Sequence, residues 1–257
     1  MSDVSSNRSD EVKAPWKLWL GMAFVVLVFY GSQFLGGVLL SLYPLLRHWS
    51  TAQGNAWLSS SPIIQFLFIL IAETITVGSI YYFLRRYKLT LPFIGFKRPR
   101  WRDLFYGLSS VVPYYILFAV LRAVALSLFP SLNVDQKQEI GFDSVSGSVQ
   151  LICTFISLII LTPLAEEIMF RGFIYKTLRK SLSVLVAALI TSLLFGAGHL
   201  FEGGGKGLLW IGALQTFSLS VVLVFLRQKT SSLWAGITLH ASNNAIAFVY
   251  LFILHTH

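Results

Sequence analysis

Three short stretches carry side chains able to break a bond: Glu166, Glu167 and Arg171 in "AEEIMFR", His199 closing "FGAGH", and His240 with Asn244 in "HASNN". A carboxylate, two imidazoles and a carboxamide can hold and deprotonate a water for attack on a peptide carbonyl, with an imidazole or the amide steadying the oxyanion. Glu166, His199 and His240 also form a two-histidine, one-carboxylate set, a usual composition for catalytic zinc. No H-E-x-x-H motif is present, so the metal reading has no support from spacing.

Helical phase separates the two acids. Glu167 and Arg171 stand four residues apart and share a face, where they can pair. Glu166 points about 100° away and is left as a candidate general base. The plainer alternative places all three at the cytoplasmic interface, snorkelling beside Lys176. His199 is bordered by Gly196, Ala197 and Gly198, which let another helix or a substrate backbone come close. His240 and Asn244 share a face and Asn243 is turned aside; a histidine and an asparagine in an apolar helix are costly unless both are partnered.

The elements that position these groups follow from composition. The chain of 257 residues is 55% hydrophobic and 12% charged, with a mean hydropathy of +0.70, whereas soluble domains carry about a quarter charged residues. Seven apolar runs, at about 18–42, 62–84, 104–128, 149–179, 182–201, 207–226 and 232–254, are each long enough to cross a hydrocarbon core of roughly 30 Å. The expected fold is an all-α polytopic transmembrane bundle of seven spans, with room for an eighth partial element. Residues 1–17 read as a disordered cytoplasmic tail, 18–148 as N-terminal transmembrane helices and 149–257 as the core that carries the chemistry. The first run is too long for a cleaved signal peptide.

The net charge of +9 does not point to nucleic acid, because the basic residues sit beside apolar segments rather than on an aromatic-interleaved face. Residues 85–103 hold seven Lys or Arg against one Asp, which marks that loop as cytoplasmic. Lys176, Arg179 and Lys180, then Arg227 and Lys229, fall on the same side in a seven-span count. The loop with Asp135, Lys137, Glu139 and Asp143 and the loop "EGGGKG" carry no basic excess. This pattern gives a cytoplasmic N-terminus and an outside C-terminus, in what we expect to be the plasma membrane. Cys153 is the only cysteine, which excludes an intrachain disulfide and a thiolate metal cluster. No phosphate-binding glycine loop or C-x-x-C is present.

Depth can be estimated by treating residues 166–180 and 182–199 as a hairpin turning near Ser181. At the helical rise, Glu166 lies about 22 Å from the turn and His199 about 27 Å, so the two can meet. His240 lies only about 12 Å beyond a turn at Ser232 and needs a tilt, a longer loop or partial re-entrance to join them.

With these motifs in order, the sequence resembles the CAAX-protease and bacteriocin-processing (Abi) family of intramembrane endopeptidases. That family is marked by Glu-Glu-x-x-x-Arg, Phe-x-x-x-His and His-x-x-x-Asn/Asp on successive helices; here these are "EEIMFR", "FGAGH" and "HASNN". The resemblance covers about 149–254. It implies that Glu166 activates water, that Glu167 and Arg171 support it, that His199, His240 and Asn244 complete the site, and that Asn243 is a dispensable neighbour. The implied activity is hydrolysis of membrane-associated or lipidated peptides and proteins, with membrane lipids as further partners and no nucleic acid. Family members have been described both as metalloproteases and as glutamate enzymes without metal, so a zinc or other divalent cofactor on Glu166, His199 and His240 stays open. Two other readings compete. A non-enzymatic bacteriocin-immunity or scaffold protein would tolerate loss of Glu166, and a transporter would use Glu73, Arg122 and Glu166 as a conduction path.

Overall fold

A computed structural model describes residues 13–136, 138, 141–142, 145–203 and 207–254. Among them seven helices are long and apolar enough to cross a membrane: α1 (Leu18–Leu46), α3 (Pro62–Arg86), α4 (Trp101–Leu128), α5 (Ser148–Leu178), α6 (Val184–Phe201), α7 (Trp210–Thr230) and α8 (Trp234–Leu254). A short helix, α2 (Thr51–Ser60), is the eighth, partial element; Ser50 and Gln53 close it with a reciprocal capping box. The bundle is all-helical, as the hydropathy pattern requires, and the chain is an integral membrane protein. Its outer surface is crowded with exposed Leu, Phe and Val side chains, including Leu27, Phe34, Leu128, Leu185 and Phe225, which a protein in water does not present in such number.

Small and hydroxylated side chains let the helices approach. α1 lies on α3, where the Thr76 hydroxyl donates to Ser32 Oγ at 3.0 Å and Gly36 faces the Phe68 ring. α6 lies on α7, and a Cβ at Gly196 would stand 2.8 Å from the Ala213 carbonyl oxygen. The expectation that Gly196 admits a neighbouring helix therefore holds, while at Gly198 an added methyl would meet nothing within 4 Å.

Two segments depart from the sequence reading. Residues 1–12 of the expected disordered tail, like Lys137, Glu139, Asp143 and Gly204 to Lys206 of the two outer loops, lie outside the described residues. The end of that tail is packed: Ala14 and Trp16 are buried, and Trp16 stacks on Phe173 with ring centroids 5.1 Å apart. Its indole N–H donates to Thr177 Oγ1 at 2.9 Å, and its carbonyl accepts from Lys180. An indole with one polar partner and four aromatic neighbours is held by burial that the flanking polar residues do not advertise.

The second departure concerns residues 87–100, expected only as a basic loop. A turn of 3₁₀-helix, Leu91–Ile94, folds up into the bundle and buries Ile94 completely. Gly95 follows with φ +99, a conformation that suits glycine. Its carbonyl accepts from the Leu233 N–H at 3.0 Å, the Lys97 carbonyl accepts from the Trp234 indole at 2.6 Å, and the Ile94 carbonyl accepts from Arg227 at 3.3 Å. This segment caps the start of α8 from below, so that α8 begins inside the protein with Leu233 fully buried.

Candidate active site

The cap explains how His240 reaches the other groups. Six residues into α8 it is only about 9 Å along the helix, yet that helix starts at depth, and His240 stands beside both acids of α5. Its Nε2 is 3.6 Å from Glu166 Oε2 and its Nδ1 is 3.6 Å from Glu167 Oε1. Both distances exceed direct hydrogen-bond length, so the imidazole stands between two carboxylates without being locked to either.

The two acids are unequal. Glu167 Oε1 accepts from Arg171 Nη1 at 2.8 Å, and both side chains are buried. The guanidinium lies 4.3 Å above the Phe195 ring, a second attraction that suits a planar, weakly hydrated cation. A Cβ at Gly236 would come within 2.5 Å of Glu167 Oε2, so this carboxylate occupies space that only glycine leaves open. Glu166 has no such cradle. Its side chain is 19% exposed, and its buried Oε2 has no hydrogen-bond partner.

α5 is not a plain α-helix. Residues Ile156–Leu161 and Glu167–Ile174 turn with the wider i→i+5 spacing, a form found mostly in short pieces at functional sites. Pro163 lies between them and has no N–H to give. In the i→i+5 register its donor would serve the Leu158 carbonyl; that carbonyl instead accepts from Asn244 Nδ2 at 2.8 Å. Asn244 Oδ1 accepts in turn from Asn243 Nδ2 at 3.2 Å, and Asn243 Oδ1 accepts from the Tyr115 hydroxyl at 3.1 Å. Asn243, expected to be a bystander, is thus the middle link of a chain from α4 through α8 to the carbonyl that Pro163 leaves unpaired. Nothing in the sequence motif signals this.

His199 is fixed by its own helix. Its Nδ1 lies 2.8 Å from the Phe195 carbonyl. A carbonyl only accepts, so Nδ1 carries the proton and Nε2 of the neutral ring keeps its lone pair. Phe195 touches all the imidazoles of the site, with centroids 4.9 Å from His199 and 5.8 Å from His240. The sequence carried Phe195 as a motif position without giving it a role; the structure makes it the common wall of the site.

Glu166, His199, His240 and Asn244 line one cavity of about 400 Å³, joined by Tyr114, Gln215 and Thr162. Glu167 and Arg171 stand behind it, out of reach of a substrate. Glu73 on α3 lies near enough to Glu166 for their charges to interact, whereas Arg122 is exposed on α4 and is not part of the cavity wall. Among the described residues no three His, Cys, Asp or Glu side chains converge as a metal cradle. Glu166, His199 and His240 as placed therefore do not fit a zinc site.

Residues 148–246 match the family model of the Rce1-like type II CAAX prenyl endopeptidases, the same part of the chain that holds the three motifs. This region is therefore similar to that family. Neither the curated proteins nor the solved structures yield a match to the chain.

Proposed function

We propose that the protein is an intramembrane endopeptidase that hydrolyses peptide bonds of membrane-associated proteins with a water activated by Glu166. The observation that carries this reading is the asymmetry of the adjacent acids: Glu167 is paired with Arg171 and buried, while Glu166, 19% exposed, lines a cavity shared with two imidazoles. Water held between Glu166 and the lone pair of His199 Nε2 gives up a proton to the Glu166 carboxylate as its oxygen attacks the carbonyl carbon. The oxyanion that forms meets His240 and the second N–H of Asn244, the first being committed to the Leu158 carbonyl. Glu166 then passes its proton to the departing amine.

Buried charge supports a catalytic reading over a scaffold. A carboxylate and two imidazoles beside a cavity in an apolar bundle cost stability, a cost that a reactive site explains and a scaffold does not. The Lys and Arg excess at 85–103, 176–180 and 227–229 supports a cytoplasmic N-terminus and an outside C-terminus, and we take the host bilayer to be the plasma membrane. The test is cleavage of membrane-protein-derived and prenylated peptides by purified protein in detergent, with Glu166→Gln as the comparison. Equal cleavage by the variant overturns the mechanism, and absence of cleavage by a folded wild-type sample across both peptide sets leaves the scaffold reading. Metal content and chelation of the same sample decide whether a metal takes part. Full activity in metal-free protein supports the glutamate mechanism, and loss restored by a stoichiometric divalent ion overturns it.

A further inference from the structure

We infer that the site is entered from the extracytoplasmic face, and that its substrates are peptide segments presented there by exported or membrane-anchored chains. The inference rests on the endopeptidase reading and adds a direction and a substrate class to it. Three independent features carry it.

Charge sets the sides. Of the 20 Lys and Arg, Arg122 and Arg171 lie inside spans, and only Arg47, Lys137 and Lys206 fall in the loops opposite the basic segment 85–103. Such a bias is decisive for orientation, because cytoplasmic loops collect Lys and Arg. The ends of α3, α5 and α7, with the beginnings of α4, α6 and α8, therefore face the cytoplasm.

The cavity opens at the other ends. Besides the reactive groups, its walls include Glu202 and Leu209, in the loop between α6 and α7, and Leu251 and Phe252, near the end of α8. α6 contributes to this by being short. His199 comes at its far end, so the outer loop that follows dips to the depth of Glu166. The preceding outer loop reaches over the rim, where the Gln138 amide donates to Glu202 and Gln136 donates to the Leu208 carbonyl.

The cytoplasmic route is filled. Below Glu166, the buried side chains of Ile94, Ile168, Phe173, Ile174, Val224 and Leu233 form one apolar cluster. The turn at Leu91–Ile94 and the Gly95 to Leu233 hydrogen bond close it from underneath. A tail arriving from the cytoplasm would have to displace this close-packed plug, whereas a segment outside meets an open cavity.

The experiment uses full-length protein in right-side-out and inverted membrane vesicles, with a water-soluble quenched peptide that the detergent-solubilised protein cleaves. Cleavage by intact right-side-out vesicles, and by inverted ones only after detergent is added, is expected; the reverse overturns the inference. A membrane-impermeant thiol reagent gives a second readout in a Cys153→Ser background. Ala247→Cys, on the cavity wall, is expected to label in right-side-out vesicles, and Lys97→Cys, on the inner segment, only in inverted ones. Labelling of the cavity cysteine from the cytoplasmic side alone, or of Lys97→Cys from outside, also overturns it. If the detergent sample cleaves nothing, the endopeptidase reading fails, yet the thiol pattern still decides the route.

Discussion

The two halves of α5 behave as though they belonged to different proteins. From Glu167 to Leu178 nearly every side chain is buried, including a glutamate, an arginine and a lysine. From Ser148 to Leu161 only Thr154 and Ser157 are buried and the rest of the helix is half-buried or exposed, and the Leu158 carbonyl borrows a partner from α8. Glu166 sits at the junction. The inner half supplies fixed geometry and the outer half supplies access, and a reactive carboxylate needs both at once: a rigid support behind it and room in front.

Four substitutions test that division. Glu166→Gln should lower kcat by about 10²–10⁴-fold, with the thermal unfolding of the detergent-solubilised protein unchanged; a large loss of stability would move Glu166 into the structural half. Arg171→Ala leaves the Glu167 charge buried without its cation and should cost about 3–5 kcal/mol of stability, read from thermal unfolding. The double replacement of Glu167 and Arg171 by Leu should recover most of it, and normal unfolding of Arg171→Ala would break the comparison. Gly236→Ala drives a methyl group against Glu167 and should cost about 1–3 kcal/mol. Gly198→Ala, where a methyl meets only open space, should cost nothing. Asn243→Ala removes two hydrogen bonds at the cavity wall, one of them to Asn244, and should reduce kcat/KM by the equivalent of about 0.5–1.5 kcal/mol. Tyr115→Phe should reproduce part of that loss, while an unaffected Asn243→Ala would return Asn243 to the role of bystander.

Much of this was legible in the sequence because the signals are local. Hydropathy places all seven spans within a few residues, since each must match the thickness of the same apolar layer. The pairing of Glu167 with Arg171, and the release of Glu166 toward the histidines, follow from four-residue spacing and survive the wider turn at Glu167–Ile174. What could not be read depends on partners far away in the chain. The depth of His240 comes from a segment that reads as a basic loop and is bonded to the start of α8 across 137 and 138 residues, and the importance of Asn243 comes from a tyrosine 128 residues away. The tail ending at Trp16 looked unstructured because its polar neighbours hide one large anchor, whose pocket is built entirely by other helices.

That anchor sets an order of events during synthesis. Trp16 leaves the ribosome 161 residues before Thr177, its hydrogen-bond partner, a delay of roughly 8–30 s at ordinary translation rates. Throughout that interval α1 and α3 can sit in the bilayer, but the inner end of the bundle has no lining for the indole. Only when α5 inserts does the start of the chain find its seat, so maturation waits for the helix that also brings in Glu166. A bulky fusion placed directly before Trp16 should therefore be felt at the far end of assembly, as slow closure of the bundle rather than failed insertion of the first span.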